Sequence, residues 1–166
     1  MRTNGRTSDG RRRDTAQASV EFVMMFPFVL LLILGLVEFG WLMFTTLTVN
    51  NAAHEAARYA AVGNVVGDCD GGVIERAVLV GSGIVDCSDV TVTFIDPDSD
   101  GVFRGDSVIV RINHPYVSIT PLVAIASSFS LGTISTDINI AACSDARLQS
   151  PTQEPSPDTS GTSCTS

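Results

Sequence analysis

The sequence predicts an α+β fold: a long N-terminal transmembrane helix that continues into a small ectodomain built on an antiparallel sheet. Three observations predict it. Residues 22–44 form a run of 23 mostly apolar residues with one charge, Glu38. Beyond that run the apolar spacing keeps the period of a helix as far as Val62, and from Asp89 onward it falls to two, the period of strands.

Residues 1–16 are polar and basic, include Gly5 and Gly10, and hold almost nothing that could pack, so they predict an unstructured cytoplasmic leader. At about 1.5 Å per residue the 22–44 run is long enough to cross a hydrocarbon core of roughly 30 Å. The helix is predicted over 17–62, because Val49, Ala52, Ala53, Ala56, Ala57 and Ala60 recur on one helical face past the span. Gly63 and Gly67 supply its stop. Pro27 lacks the N–H of a normal helical turn, which predicts a local loosening near 23–27.

The ectodomain is predicted over 63–148. Within it "GGVIERAVLVGSG" places Val73, Ile74, Ala77 and Val78 on one side of a short helix ended by Gly81 and Gly83. "DVTVTFID" and "SVIVRIN" alternate as strands and are joined by the turn-rich "PDSDGVFRGD", which makes a hairpin, and "TISTDINIAA" adds a third strand. Pro121 is placed to begin a short helix through Ser127. Residues 149–166, rich in Pro, Ser and Thr, predict a disordered tail.

Arg2, Arg6, Arg11, Arg12 and Arg13 crowd the N-terminal side of the span. The positive-inside rule therefore keeps the N-terminus in the cytoplasm and sends the rest through the cytoplasmic (inner) membrane in a single pass. From Thr45 onward five arginines face fourteen acidic residues, a balance that excludes nucleic acid as a partner. A cleaved secretory signal is disfavoured, since the run is long for one and no A-x-A-like site follows it. The four cysteines, Cys69, Cys87, Cys143 and Cys164, all lie on the exported side, where disulfides persist. Three pairings are open to them; Cys69 with Cys87 is favoured because the helix between them can bring its flanks together, and free thiols are the alternative.

The segment "AQASVEFVMMFPFVLLLILGLVEFGWLMFTTLTVNNAAHEAARYAA", residues 16–61, resembles the N-terminal signature of TadE-like proteins, pseudopilins of tight-adherence (Flp-type) pilus assembly. Basic residues, a small residue, "VEF", an apolar run with an early proline, "GLVEFG" and an alanine-rich "NAAHEAARYAA" carry the resemblance together. It implies a pilin-like fold and a structural role as a minor pilin or pseudopilin. It also implies cleavage by a prepilin peptidase between Ala16 and Gln17, which makes Glu21 the fifth residue of the mature chain. The new α-amine of Gln17, cationic near neutral pH, would pair with Glu21 of a neighbouring helix and set the register of assembly. Ala16 departs from the family pattern, which has glycine before the cut. The implied partners are other pilin-like subunits, the pilus assembly machinery, the peptidase and the membrane, with a surface pilus as a destination. The alternative reading is an unprocessed signal-anchored extracytoplasmic binding module.

Glu38 has two readings as well. It either marks the outer interface beside the aromatic anchor Trp41, or bonds across helices where Gly35 and Gly40 permit close packing. "DPDSDG" has the opening of a calcium loop, with Asp96, Asp98 and Asp100 as ligands. Ser107 stands where that loop has a bidentate Glu, so a solvated hairpin turn is the preferred reading and no cofactor is required. His54 and His114 are the sole histidines, lysine is absent, and no nucleophile, zinc or phosphate-binding motif occurs, so the sequence makes no case for an enzyme.

Overall fold

A computed structural model of the chain describes residues 8–96, 102, 104–121, 124, 128, 138–150 and 164. Helix α1 is Ser8–Ala61, 54 residues assigned without a break across Pro27. It begins well ahead of residue 17 and takes in residues 8–16, which composition alone predicts to be unstructured. From Arg11 to Phe26 there is neither glycine nor proline, so the backbone ladder of the span runs on into the leader and ends a turn beyond Arg11, taking in Gly10. At its far end the Gly63 N–H donates to the Ala60 carbonyl at 3.0 Å, and Gly63 takes a positive φ of 89° that stops the helix.

The chain forms two compact units, Met1–Gly40 with Ser118–Ile134, and Trp41–Val117 with Ser135–Ser166. In the first, most apolar side chains of α1 are exposed, with Val23, Phe28 and Leu36 at 69%, 70% and 64%, while Leu34 and Glu38 on one face are half-buried. A helix with so much apolar surface left uncovered is suited to lipid or to neighbouring helices.

In the second unit the pattern of α1 changes to one buried face. Thr45, Val49, Ala52, Ala53, Ala56, Ala57, Ala60 and Ala61 are all buried, at the spacing of a single stripe. Thr45 is satisfied there by donating its hydroxyl to the Trp41 carbonyl at 2.9 Å; Thr46 and Thr48 bond back in the same way to Leu42 and Phe44.

Against this face stands a three-stranded antiparallel sheet in the order β1-β2-β3, with β1 Val90–Ile95, β2 Ser107–Pro115 and β3 Asn139–Arg147. The register aligns Val90, Ile112 and Ala142 in one row, Val92, Val110 and Ser144 in the next, and Phe94, Val108 and Ala146 in a third. These residues and the alanine stripe share one hydrophobic core. Alanine carries a single side-chain carbon, so the helix backbone comes close: Gln149 N–H donates to the Ala61 carbonyl at 2.7 Å.

The predicted hairpin forms, and the third strand, described at 139–147, runs five residues past the end of "TISTDINIAA" at 142. "CSDAR" is poor in β-branched residues; pairing with β2 and the inward alternation of Ile140, Ala142 and Ser144 make it a strand. Residues 133–137 lie outside the described ones.

Helix α2, Gly72–Val80, buries Val73 and Ala77 as its spacing predicts. It has no side-chain cap. Instead Val73 N–H donates to the Val65 and Val66 carbonyls at 3.1 and 2.9 Å, and Ile74 N–H to Val66 at 3.2 Å. Glycine is needed at 72 for this, because φ is +85° and a Cβ would meet both of those carbonyl oxygens at 2.6 Å.

Disulfides join Cys69 to Cys87, flanking α2 as expected, and Cys143 to Cys164, with Cα separations of 5.6 and 5.7 Å. By loop-closure entropy each contributes about 3 kcal/mol. A single 3-10 turn, Cys87–Asp89, leads from the first bridge into β1. Of the short helix expected at 121–127, Pro121 lies in a turn and Ala124 is helical, as is Ser128 beyond it. The other positions lie outside the described residues, as does the tail apart from 149, 150 and 164.

Candidate functional site

The predicted processing and register residues sit on the first half of α1. Ala16 and Gln17 are in helical backbone, and the Gln17 carboxamide donates to Glu21 Oε1 at 3.3 Å, one turn on, with both side chains exposed. That is a long hydrogen bond, and a carboxylate has about four lone-pair sites. Glu21 thus keeps acceptor capacity for a cation brought by another chain.

Glu38 has an intramolecular partner that neither sequence reading foresaw. Its Oε2 accepts from the Thr120 hydroxyl at 2.6 Å and from the Thr120 N–H at 3.0 Å, both within the first unit. The partner lies 82 residues away along the chain. Gly35 and Gly40 face open space, with nothing within 4 Å of where a Cβ would stand. Trp41, expected as an interface anchor, is partly buried against the core of the second unit.

The second unit holds the remaining polar pairs. His54 Nδ1 lies 2.9 Å from Ser144 Oγ, which ties α1 to β3. A serine and a histidine in contact suggest a hydrolase, but the hydroxyl is buried while the imidazole is exposed, and among the described residues no carboxylate is bonded to His54 to orient it. His114 Nδ1 lies 2.8 Å from Asp89 Oδ2. Asp89 also accepts from the Asp86 N–H at 3.1 Å, so the pair braces the start of β1. Sequence reasoning missed both contacts, since the partners are far apart in the chain and neither pair belongs to a motif.

Glu55 links the two helices: Arg76 donates to it at 2.7 Å, and Arg58 approaches to 3.6 Å. Glu55 and Arg58 line an open groove of about 590 Å³ with Tyr59, Arg147 and Gln149. The hydrogen bond from Arg76 holds the Glu55 carboxyl below the usual glutamate range, against the opposing effect of lost water, and the charges of Arg76 and Arg58 add to it. A carboxyl with a lowered folded-state value contributes stability that is present above the ordinary value near 4.5 and is lost as pH falls through the lowered one. Arg76→Ala should move the Glu55 titration, followed by its side-chain carbon resonance, back up toward that of a free glutamate. An unmoved midpoint would contradict the pairing.

Of the possible calcium ligands, Asp96 is buried, and Asp98 and Asp100 lie outside the described residues. Among the described residues no group of three His, Cys, Asp or Glu side chains could hold a metal ion.

Compared with known families, residues 16–58 match the model described as TadE-like protein, the segment that holds Gln17, Glu21, Glu38 and most of the alanine stripe. Neither the comparison with curated proteins nor that with solved structures gives a match.

Proposed function

We propose that the chain whose residues 16–58 carry this TadE-like match is a minor pilin or pseudopilin, a structural part of a tight-adherence pilus assembly system. The observation that carries the reading is the join of three features within one segment. An acidic residue stands at the head of a largely exposed apolar helix, and the matched region runs on into the alanine face that packs the ectodomain.

Such a helix has two environments that suit it. In the bilayer its apolar surface meets acyl chains; in a pilus it meets the helices of other pilin-like subunits. Glu21 is the group that distinguishes them. A carboxylate at the membrane threshold costs free energy unless it is paired or stays at the headgroups. A neighbour's α-amine, freed when a prepilin peptidase cuts between Ala16 and Gln17, would neutralise it only at one stagger of the two helices. The basic leader holds the precursor N-terminus in the cytoplasm, the ectodomain folds outside with its disulfides, and cleavage frees the helix to leave the bilayer for the bundle.

The test is the N-terminal mass of the full chain recovered from membranes in the presence of the peptidase. A chain beginning at Gln17 is expected. A chain retaining residues 1–16 would leave Glu21 without its amine and favour the signal-anchored extracytoplasmic binding module.

A further inference from the structure

The connection between β2 and β3 is long for neighbouring antiparallel strands, which are usually joined by about 2–5 residues. Its composition is also out of keeping with the acidic ectodomain, for residues 115–136 are 22 in a row without a charge. Thr120, in this stretch, makes the two hydrogen bonds to Glu38. Glu38 lies six residues in from the end of the 22–44 run, so at about 1.5 Å per residue it sits roughly 9 Å inside the outer end of the span.

The bonding suits hydrocarbon better than water. A carboxylate inside a span needs donors, and a loop at that depth needs acceptors for its N–H and hydroxyl groups. Thr120 is 9% exposed and gives both its donors to the one oxygen, so the span and the loop satisfy each other. Beside it Ile119 leaves 53% of its surface exposed.

We propose that the connection around Ile119, Thr120 and Pro121 is a second membrane element, lying among the acyl chains of the outer leaflet and latched to the span through Glu38. The proposal rests on the reading of 22–44 as a membrane span. Acyl chains are the occupant because Thr120 is bonded to a residue inside that span and residues 115–136 carry no charge to hold them at the headgroups.

The full chain is reconstituted at a low protein-to-lipid ratio in phosphatidylcholine vesicles whose acyl chains are brominated. Trp41→Phe leaves no other tryptophan, and Ile119→Trp then reports on the loop, Leu32→Trp on the span, with Pro121→Trp as a second loop reporter should position 119 not tolerate the indole. The loop indole is expected to be quenched by the bromines like the span indole, and adding Glu38→Ala is expected to reduce quenching at the loop alone. Quenching at position 32 with a loop indole open to aqueous acrylamide overturns the proposal and leaves the span standing. A loop indole shielded from both quenchers places it against protein, such as a second copy, and also overturns it. Absence of bromine quenching at both positions removes the span reading and the proposal with it.

Discussion

Glu21→Ala is expected to leave membrane insertion intact and to abolish assembly. Insertion is driven by the apolar run and oriented by the arginines before it, neither of which the substitution touches. Removing a carboxylate from the edge of the span makes insertion, if anything, more favourable. Assembly is another matter. In a bundle of processed helices each Gln17 amine would be left buried without its counter-charge, and breaking one partner of a buried pair costs about 3–5 kcal/mol. Since roughly 1.4 kcal/mol is a tenfold change in an equilibrium constant, each subunit contact would weaken by about a hundredfold or more. Glu21→Gln keeps the shape and an acceptor but loses the charge, so it should assemble poorly as well. Membrane fractionation and electron microscopy of the same cells separate the two effects. Normal pili from Glu21→Ala would remove the register role, and a protein lost from the membrane would make the residue one of insertion instead.

Ala56→Leu is expected to unfold the ectodomain at a markedly lower temperature. Ala56 is fully buried in the middle of the helical stripe and shares a core with Val108, Val110, Ile112 and Ala142 of the sheet. A fully buried alanine in a packed core leaves added methylenes no void to enter. Overpacking of this kind costs about 1–3 kcal/mol. For a domain of this size each kcal/mol lowers the melting temperature by roughly 4–8 °C. The opposite substitution in the first unit, Leu36→Ala, removes a side chain that is 64% exposed and should leave the melt of the sheet unchanged. Circular dichroism in detergent followed in the strand region compares them, and equal melts for Ala56→Leu and the parent chain would show that the stripe is loosely packed.

The stripe was legible in the sequence because period alone defines it: alanines at helical spacing, continuing a span, have one geometrical outcome. The hairpin was legible for the same reason at period two. The third strand was legible too, but its second half was not, since Cys143, Ser144, Asp145 and Ala146 have no intrinsic claim to a strand and acquire one from β2. The start of α1 was hidden by composition, which counts charge and polarity and takes no account of a helix already nucleated next door. Among the site residues, Gln17 and Glu21 are one turn apart and their contact follows from spacing, whereas Glu38 with Thr120 and His54 with Ser144 depend on closures across 82 and 90 residues. No local pattern encodes those.

The disulfides bear on the timing of folding. They join the first cysteine to the second and the third to the fourth. Under the proposed orientation the chain emerges from the membrane with its N-terminal end leading the ectodomain, so each thiol meets its native partner as the next one to appear. Cys69 and Cys87 can close around α2 before β3 has crossed, and neither bridge has to be broken to make the other. Vectorial export is then enough to pair the cysteines correctly, with an oxidant required on the far side but no isomerase to reshuffle them.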